Sequence, residues 1–200
     1  MPYSTSLPRL RFGQTNSMNL IAALEDLLSG SSSCGTTHLI AIDGRAGAGK
    51  TTLAHELFLA LSLTRNVTVI HLDEVYAGWE DALGEALTKT FTELLESLKQ
   101  DQKYSLPIYN WNIMAFDSRR EISPCDLIII EGVGSAQSIV RECASATIWL
   151  DIDPALGLQR VLQRDGVEIS EQMKQWQLDE AQLFQRDQTQ KKADFILSTM

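Results

Sequence analysis

Cysteine and long apolar stretches are both scarce in this sequence. Its 200 residues include three cysteines, Cys34, Cys125 and Cys143, an odd number without metal-ligand spacing. This pattern excludes a disulfide framework or a structural zinc site and favours free thiols in a reducing compartment. No run approaches the ~20 apolar residues that cross a bilayer, and the first residues lack the basic and apolar pattern of a signal peptide. We therefore expect a cytoplasmic protein without a membrane partner.

Positive charge is also in short supply. The sequence carries 17 lysine and arginine residues against 26 aspartate and glutamate residues, a formal net charge of −9. An acidic surface repels the phosphates of nucleic acids, so we exclude a nucleic-acid partner and expect phosphorylated ligands to need a local cluster of cations. The length predicts one domain, with residues 1–37 as an arm and helix and residues 38–200 as the core. A homodimer stays open, because an isologous interface leaves no sequence signature.

Residues 44–52 match the phosphate-binding loop pattern, which is glycine, four residues and then Gly-Lys-Ser/Thr, with no mismatch. A short apolar run at 38–43, typical of a buried strand, precedes them, and apolar residues at helical spacing follow in 53–61. In this position glycine amides form an anion-binding nest, and the helix start adds partial positive charge. The candidate nucleotide-binding residues are Gly44, Arg45, Ala46, Gly47, Ala48, Gly49, Lys50, Thr51 and Thr52.

The loop pattern gives its two most reactive side chains different roles. Lys50 is expected to reach the β- and γ-phosphates of ATP, and the Thr51 hydroxyl is expected to ligate Mg²⁺. A second carboxylate-bearing strand supports a metal site. Residues 126–132 contain four consecutive large aliphatic residues followed by Glu131, which is typical of a strand buried on both faces that ends near Mg²⁺. ATP and Mg²⁺ are therefore the predicted cofactors.

Further strands are expected at 67–72, 146–151 and 192–197. Strand, loop, helix and strand make a βαβ unit, which implies a parallel sheet with right-handed crossovers. We predict a three-layer α/β fold of the P-loop NTPase type, with a parallel five-stranded sheet and helices on both faces. Ligands gather at the carboxyl ends of strands in such sheets, so Asp73 should lie at the same edge as the phosphate loop. There it could accept a proton from an attacking hydroxyl or hold a Mg²⁺-bound water.

Two segments outside these strands carry residues that suit a ligand. Residues 107–120 form a long excursion with aromatic residues and paired arginines, which fits a polar, anionic or ring-bearing ligand; core aromatics and solvated arginines are the alternative. A helix from residue 154 carries Arg160 and Arg164, which share one face because they are four residues apart, in a short lid around 158–172. Both guanidinium groups could neutralise charge on a transferred group; a solvated basic face is the alternative.

From residue 38 to residue 198 the sequence resembles the uridine kinase and phosphoribulokinase-like branch of the P-loop kinases, including an uncharacterised bacterial uridine kinase-like subgroup. The resemblance rests on the order of short motifs at 42–54, 72–76, 107–111, 131–132 and 160–165. It implies that Asp73 is the catalytic base. It also implies an acceptor pocket lined by Asp73, Tyr76, Tyr109, Trp111 and Arg119. Asn110 stands where the family motif has aspartate, and no histidine precedes Ser118 and Arg119.

The leading hypothesis is an ATP- and Mg²⁺-dependent kinase, a phosphotransferase with a hydroxyl group of a nucleoside-like small molecule as acceptor. Lys50, Asp73, Arg160 and Arg164 are the candidate catalytic residues, and Thr51 and Glu131 the candidate metal ligands. One alternative is an ATP-binding regulatory or chaperone-like protein without an acceptor. Another is a nucleotide monophosphate kinase, which would need more arginines to hold the acceptor phosphate than Arg119 and Arg120 provide.

Overall fold

The computed structural model describes residues 10–12 and 17–198. Its strands are β1 (Leu10–Phe12), β2 (His38–Gly44), β3 (Val67–His71), β4 (Tyr104–Asn110), β5 (Ala115–Ile122), β6 (Leu127–Glu131), β7 (Ala146–Asp151) and β8 (Phe195–Ser198). Its α-helices are α1 (Ser17–Leu28), α2 (Lys50–Leu61), α3 (Glu85–Lys99), α4 (Ser138–Arg141), α5 (Pro154–Asp165), α6 (Ser170–Asp187) and α7 (Thr189–Lys192). Short 3-10 turns lie at Leu72–Glu74 and Val167–Ile169.

The main sheet has the strand order β1-β8-β7-β2-β6-β3, and every neighbouring pair is parallel. The five predicted strands are all present, so the predicted parallel sheet is confirmed. A sixth strand, β1, adds to one edge within a segment that the sequence pattern indicates is an irregular arm. Its three residues are too few to show a periodic pattern, and its pairing with β8 forms only in the folded chain.

The central strands separate two hydrophobic cores, because their alternate side chains point to opposite faces. Leu39 and Ala41 of β2 belong to the core that also holds Phe91 of α3, whereas Ile40 and Ile42 belong to the other core. The second core also contains leucines at helical spacing from the two helices that cover that face: Leu20, Leu24, Leu28, Leu53, Leu57 and Leu61. Helices therefore cover both faces, as predicted. No helix in the described residues has the length and hydropathy that a membrane crossing needs.

The excursion predicted at residues 107–120 is part of an antiparallel β-hairpin. Strands β4 and β5 pair from Tyr104 opposite Ile122 to Asn110 opposite Ala115, with a register shift between Ile108 and Tyr109. A shift of one residue changes the face to which the following side chains point. The hairpin is a separate two-stranded sheet beside the main sheet.

The predicted lid region around 158–172 contains the second half of α5, a 3-10 turn and the start of α6. Helix α5 ends at Asp165, the 3-10 turn at Val167–Ile169 follows, and α6 then begins. Helix α6 ends at Asp187 and α7 begins at Thr189, because Gln188 between them adopts a left-handed conformation with φ of 53°. Residues 185–192 contain no apolar residue, so the hydrophobic pattern does not indicate the break at Gln188.

Asp43, the penultimate residue of β2, fastens the phosphate loop to the loop that follows β6. It is fully buried, and its Oδ1 accepts hydrogen bonds from the backbone N–H of Gly44 at 2.7 Å and of Gly134 at 2.9 Å. Its Oδ2 accepts from the N–H of Ala136 at 2.9 Å. Burial raises the pKa of Asp43 to about 6, although these three donors oppose the shift. The carboxylate thus fixes two loops at the edge where the site forms.

We predict that Asp43→Ala lowers the free energy of unfolding by about 3 kcal/mol or more, because a buried donor left without a partner costs about 1–3 kcal/mol. Denaturant unfolding monitored by circular dichroism measures the change. Asp153→Ala is the matched control. Asp153 also accepts two backbone N–H groups, at the exposed start of α5, where water can replace it at a cost of about 1 kcal/mol. Equal losses in the two variants would contradict the assigned role of Asp43.

Candidate functional site

A cleft of about 810 Å³ opens at the carboxyl ends of β2, β3 and β6. This edge is where a parallel α/β sheet is expected to bind ligands. The cleft brings together most of the residues that the sequence indicates: Gly47, Gly49, Lys50, Thr51, Thr52, Asp73, Tyr76, Tyr109, Trp111, Glu131, Arg160 and Arg164. Trp79, Met173 and Trp176, which are not among the predicted site residues, also line the cleft.

The phosphate loop curls between β2 and α2 as its pattern predicts. Gly49 takes a left-handed conformation, with φ of 91°, immediately before α2 begins at Lys50. Gly47 also has a positive φ of 78°, and a Cβ atom there would lie 2.3 Å from the carbonyl oxygen of Gly157 on α5. Only glycine tolerates both the positive φ and the close approach at position 47. The loop and α5 can therefore pack in direct contact.

Lys50 is buried at the floor of the cleft. Its Nζ donates hydrogen bonds of 2.8 Å to the carbonyl oxygens of Gly44 and Arg45. Burial lowers the pKa of Lys50, while the surrounding carboxylates, Asp43 first among them, oppose the shift. The ammonium group of Lys50 therefore bonds to carbonyl oxygens of the loop. A bound phosphate would offer it oxygen acceptors in their place.

Thr51 and Glu131 are in direct contact. The Thr51 hydroxyl donates to Oε1 of Glu131 at 3.0 Å, and the same oxygen lies 2.7 Å from Nδ1 of His71 at the end of β3. The hydrogen bond with Glu131 is the main cause of the raised pKa of His71. A hydroxyl and a carboxylate are hard oxygen ligands, which Mg²⁺ prefers. The described residues hold no cluster of three or more His, Cys, Asp and Glu side chains arranged for a metal, so phosphate and water oxygens would supply the remaining ligands.

Asp73 lies in the 3-10 turn after β3 and lines the same cleft as the phosphate loop. Its side chain is open to the cleft. Desolvation by the cleft walls raises the pKa of Asp73, and the nearby carboxylate of Glu131 raises it further. A carboxylate with a raised pKa is a better proton acceptor than an ordinary aspartate.

The two lid arginines reach the cleft from α5. Arg160 places Nη1 3.4 Å from the carbonyl oxygen of Gly47. Arg164 forms two hydrogen bonds of 2.6 Å with the carboxylate of Asp165, and both residues line the cleft. Both lid arginines therefore lie in the cleft that the phosphate loop also lines, and Arg160 is the one in contact with the loop.

An aromatic wall also lines the cleft, formed by Tyr76, Trp79, Tyr109, Trp111 and Trp176. Trp79 lies 5.3 Å from Trp111 and 5.9 Å from Trp176 between ring centroids, both edge to face. Tyr109 contacts Trp111 at 5.1 Å, and Tyr76 contacts Trp176 at the same distance. The indole N–H of Trp111 donates to the backbone carbonyl of Asp73 at 2.7 Å, which ties this aromatic wall to the loop that carries the carboxylate.

Of the predicted acceptor-pocket residues, Arg119 differs from expectation, whereas Tyr76 lines the cleft as predicted. Arg119 lies outside the cleft, because its guanidinium hydrogen-bonds Ser105 on the neighbouring strand, with Nε 2.7 Å from Oγ. Tyr76 contributes its ring, but its hydroxyl already donates to the carbonyl of Val133 at 2.9 Å and the residue is almost wholly buried. The pairing register of β4 with β5 determines the face of the hairpin on which Arg119 lies. The sequence motif does not predict this register.

Several residues at the site carry no motif of their own. His71 precedes Asp73 by two residues, and only the pairing of β3 with β6 places it opposite Glu131. Trp79 follows Gly78 in a segment that shows no regular periodicity, and Trp176 has the spacing of an ordinary buried helix residue. Glu180, also on α6, is a charged residue that is fully buried, which a sequence pattern does not show.

The model of the Phosphoribulokinase / Uridine kinase family matches residues 84–189, just over half of the chain. A chloroplastic uridine/cytidine kinase of Arabidopsis thaliana is 28% identical over 145 residues, which cover 65% of this chain and 30% of that protein. A uridine kinase of Lactobacillus johnsonii is 28% identical over 145 residues, covering 65% of this chain and 68% of that protein. The chain thus matches less than a third of the length of the plant relative.

A solved structure supports the fold. The structure of a possible uridine kinase from Bacillus stearothermophilus superposes with a TM-score of 0.64 at 22% sequence identity, covering 90% of this chain and 98% of that chain. At this identity the likeness shows the fold, and it confirms the predicted three-layer P-loop architecture.

Proposed function

The chain belongs to the Phosphoribulokinase / Uridine kinase family, and on that premise we propose that it transfers the γ-phosphate of ATP to a hydroxyl group of a nucleoside-like small molecule. One observation carries this proposal. A single cleft is lined by the phosphate loop, by Asp73 and by the aromatic wall, and Trp111 of that wall donates to the backbone carbonyl of Asp73. Phosphoryl transfer depends mainly on such positioning and on charge compensation.

At the donor end, loop amides and Lys50 would hold the β- and γ-phosphates. Lys50 already directs its protons to two loop carbonyl oxygens, and phosphate oxygens are stronger acceptors because they are charged. Thr51 and Glu131 would hold Mg²⁺, which supplies charge neutralisation at the β- and γ-oxygens. The binding energy comes from local donors, since the protein as a whole is acidic.

In the same cleft, Asp73 would act as general base. It would take the proton of the acceptor hydroxyl while that oxygen forms a bond to the γ-phosphorus and ADP leaves with the electrons of the broken bond. Arg160 and Arg164 would stabilise the charge on the transferred group. Arg164 now pairs with Asp165, so we expect the triphosphate to compete with that carboxylate for its guanidinium.

At the acceptor end, the aromatic wall favours a substrate with a planar ring, since indole and phenol rings bind flat groups by stacking and edge contacts. A nucleotide monophosphate is a poor fit. Arg119 bonds to Ser105, and Arg120 pairs with Glu74 at 3.3 Å and donates to the carbonyl of Val69. Neither arginine lines the cleft, so both are poorly placed to hold an acceptor phosphate.

Lys50→Ala should reduce turnover at least ~100-fold, because removing one preorganised donor to a developing charge typically costs about 10²–10³ in kcat. The fold should persist, which circular dichroism would check. Lys103→Ala is the control, since Lys103 is an exposed lysine just before β4 that pairs with Glu121 at 2.8 Å, and it should keep full turnover. Undiminished turnover in Lys50→Ala would overturn the kinase assignment.

Asp73→Asn should lower kcat by about 10²–10⁴, the usual contribution of a general base, with much less change in ATP affinity. Steady-state kinetics and a direct ATP titration separate the two quantities. Glu74→Gln removes the adjacent carboxylate, which pairs with Arg120, and should change kcat far less. Equal losses of turnover and ATP affinity in Asp73→Asn would instead assign Asp73 to the metal.

The acceptor is best identified by ATP consumption across nucleosides, nucleotides, sugars and vitamin precursors. With an acceptor found, Trp79→Ala should raise its KM about tenfold through lost ring contacts and leave the KM for ATP unchanged. Trp149→Phe is the control, because Trp149 is a buried tryptophan outside the cleft that packs on Phe184. Slow ATP hydrolysis that no compound stimulates would favour the regulatory, acceptor-free alternative.

A further inference from the structure

Glu180 is a fully buried acid on α6 that no step of the proposed reaction uses. Its Oε2 accepts a hydrogen bond of 3.0 Å from the backbone N–H of Ala46, and its Oε1 lies 2.9 Å from Nη1 of Arg45. Both partners are phosphate-loop residues. Burial raises the pKa of Glu180, while the Ala46 N–H, Arg45 and Lys50 oppose the shift. A carboxylate in the core is tolerated only with such partners, so these contacts are the reason it can reside there.

The same half of the loop also packs against α5. Gly157 approaches it so closely that a Cβ atom there would lie 2.6 Å from the carbonyl oxygen of Ala46. The guanidinium of Arg45 lies 5.9 Å from the ring centroid of Phe184, one turn after Glu180. The loop is therefore held from two sides, by backbone contact with α5 and by charge and hydrogen bonding with α6.

Helix α6 also forms part of the aromatic wall. Trp176 precedes Glu180 by four residues, so the two side chains share one face of the helix. Trp176 lines the acceptor end of the cleft, where its ring contacts Tyr76 and Trp79. One rigid helix thus touches the donor loop with one residue and the acceptor wall with another.

We propose that Glu180 is a positioning residue that holds the backbone at Arg45 and Ala46 in the shape that binds ATP, and that fixes the phosphate loop relative to the acceptor wall. This proposal rests on the proposed function, because it assigns the loop to ATP. Glu180 acts through the loop and touches no reacting group.

The physical consequence is a preformed anion nest. Without the Glu180 carboxylate, the Ala46 N–H and the Arg45 guanidinium lose their buried partner, and the loop populates other conformations. When only a fraction of molecules has the competent loop, the apparent dissociation constant of ATP rises by the inverse of that fraction. The loss should therefore appear in ATP binding before any effect on the acceptor.

The test compares Glu180→Met, which fills the same space without an acceptor, with Glu180→Gln, which keeps an oxygen for the Ala46 N–H. Calorimetric titration with Mg²⁺ and ATP should show affinity about tenfold or more weaker in Glu180→Met. Glu180→Gln should recover most of that loss. Asp187→Asn is the matched control, since Asp187 is another buried acid of α6, bonded to Ser138 rather than to the loop. It should lower Tm without weakening ATP binding.

ATP affinity in Glu180→Met within twofold of wild type, or an equal loss of ATP affinity in Asp187→Asn, would overturn the proposal.

Amide hydrogen exchange on the wild-type chain is a second measurement that needs no variant. The Ala46 N–H should exchange at least about tenfold more slowly than that of Gly49, since a hydrogen-bonded amide must open before it exchanges. Equal exchange rates for the Ala46 and Gly49 amides would contradict the hydrogen bond between the Ala46 N–H and Glu180. A wild-type chain that fails to bind ATP would contradict the proposed function. The exchange rates would still decide whether Glu180 holds the Ala46 N–H in solution.

Discussion

The site depends on the register of three adjacent parallel strands. Pairing of β2 with β6 sets Ile42 opposite Glu131, and pairing of β3 with β6 sets His71 opposite the same residue. Because all three strands run in one direction, the segments that leave their carboxyl ends lie at one edge: the phosphate loop after β2, Asp73 after β3, and the loop of Gly132 after β6. A shift of one residue in the β2–β6 pairing would turn Glu131 away from Thr51, and a shift of one residue in the β3–β6 pairing would turn His71 away from Glu131.

Buried acids make this edge rigid. Asp43 joins the phosphate loop to the loop after β6, Glu131 joins Thr51 to His71, and Glu180 joins the phosphate loop to α6. Each carboxylate satisfies backbone or side-chain donors that would be costly to leave unpaired in the interior. Although the protein is acidic overall, the phosphate loop can present amides and cations to an anion. Its conformation is fixed by the buried carboxylates that bond to the loop.

The sequence predicted those parts of the site that are specified by residues adjacent in the chain. The phosphate loop, Asp73 and Glu131 are each defined by a few consecutive residues, and the rule for parallel sheets predicts that they converge. What it missed is set by packing between distant segments: the aromatic wall contributed by α6, the pairing of His71 with Glu131, and the direction of Arg119 in the hairpin. Strand β1 was missed for the same reason, since three residues acquire their conformation from β8.

The hairpin explains why the acceptor end of the cleft is mainly aromatic. Asn110 donates to Asp117 at 2.6 Å, and its oxygen accepts from the N–H of Asn112 at 3.0 Å, so its polar groups serve the turn between β4 and β5. Arg119 is likewise engaged by Ser105 across the same pair of strands. Polar residues that the family motif would direct to a sugar or base are therefore used within the hairpin. If the proposed function holds, recognition of the acceptor would depend on ring contacts and on the hydroxyl that Asp73 deprotonates, so shape rather than charge would be the source of selectivity.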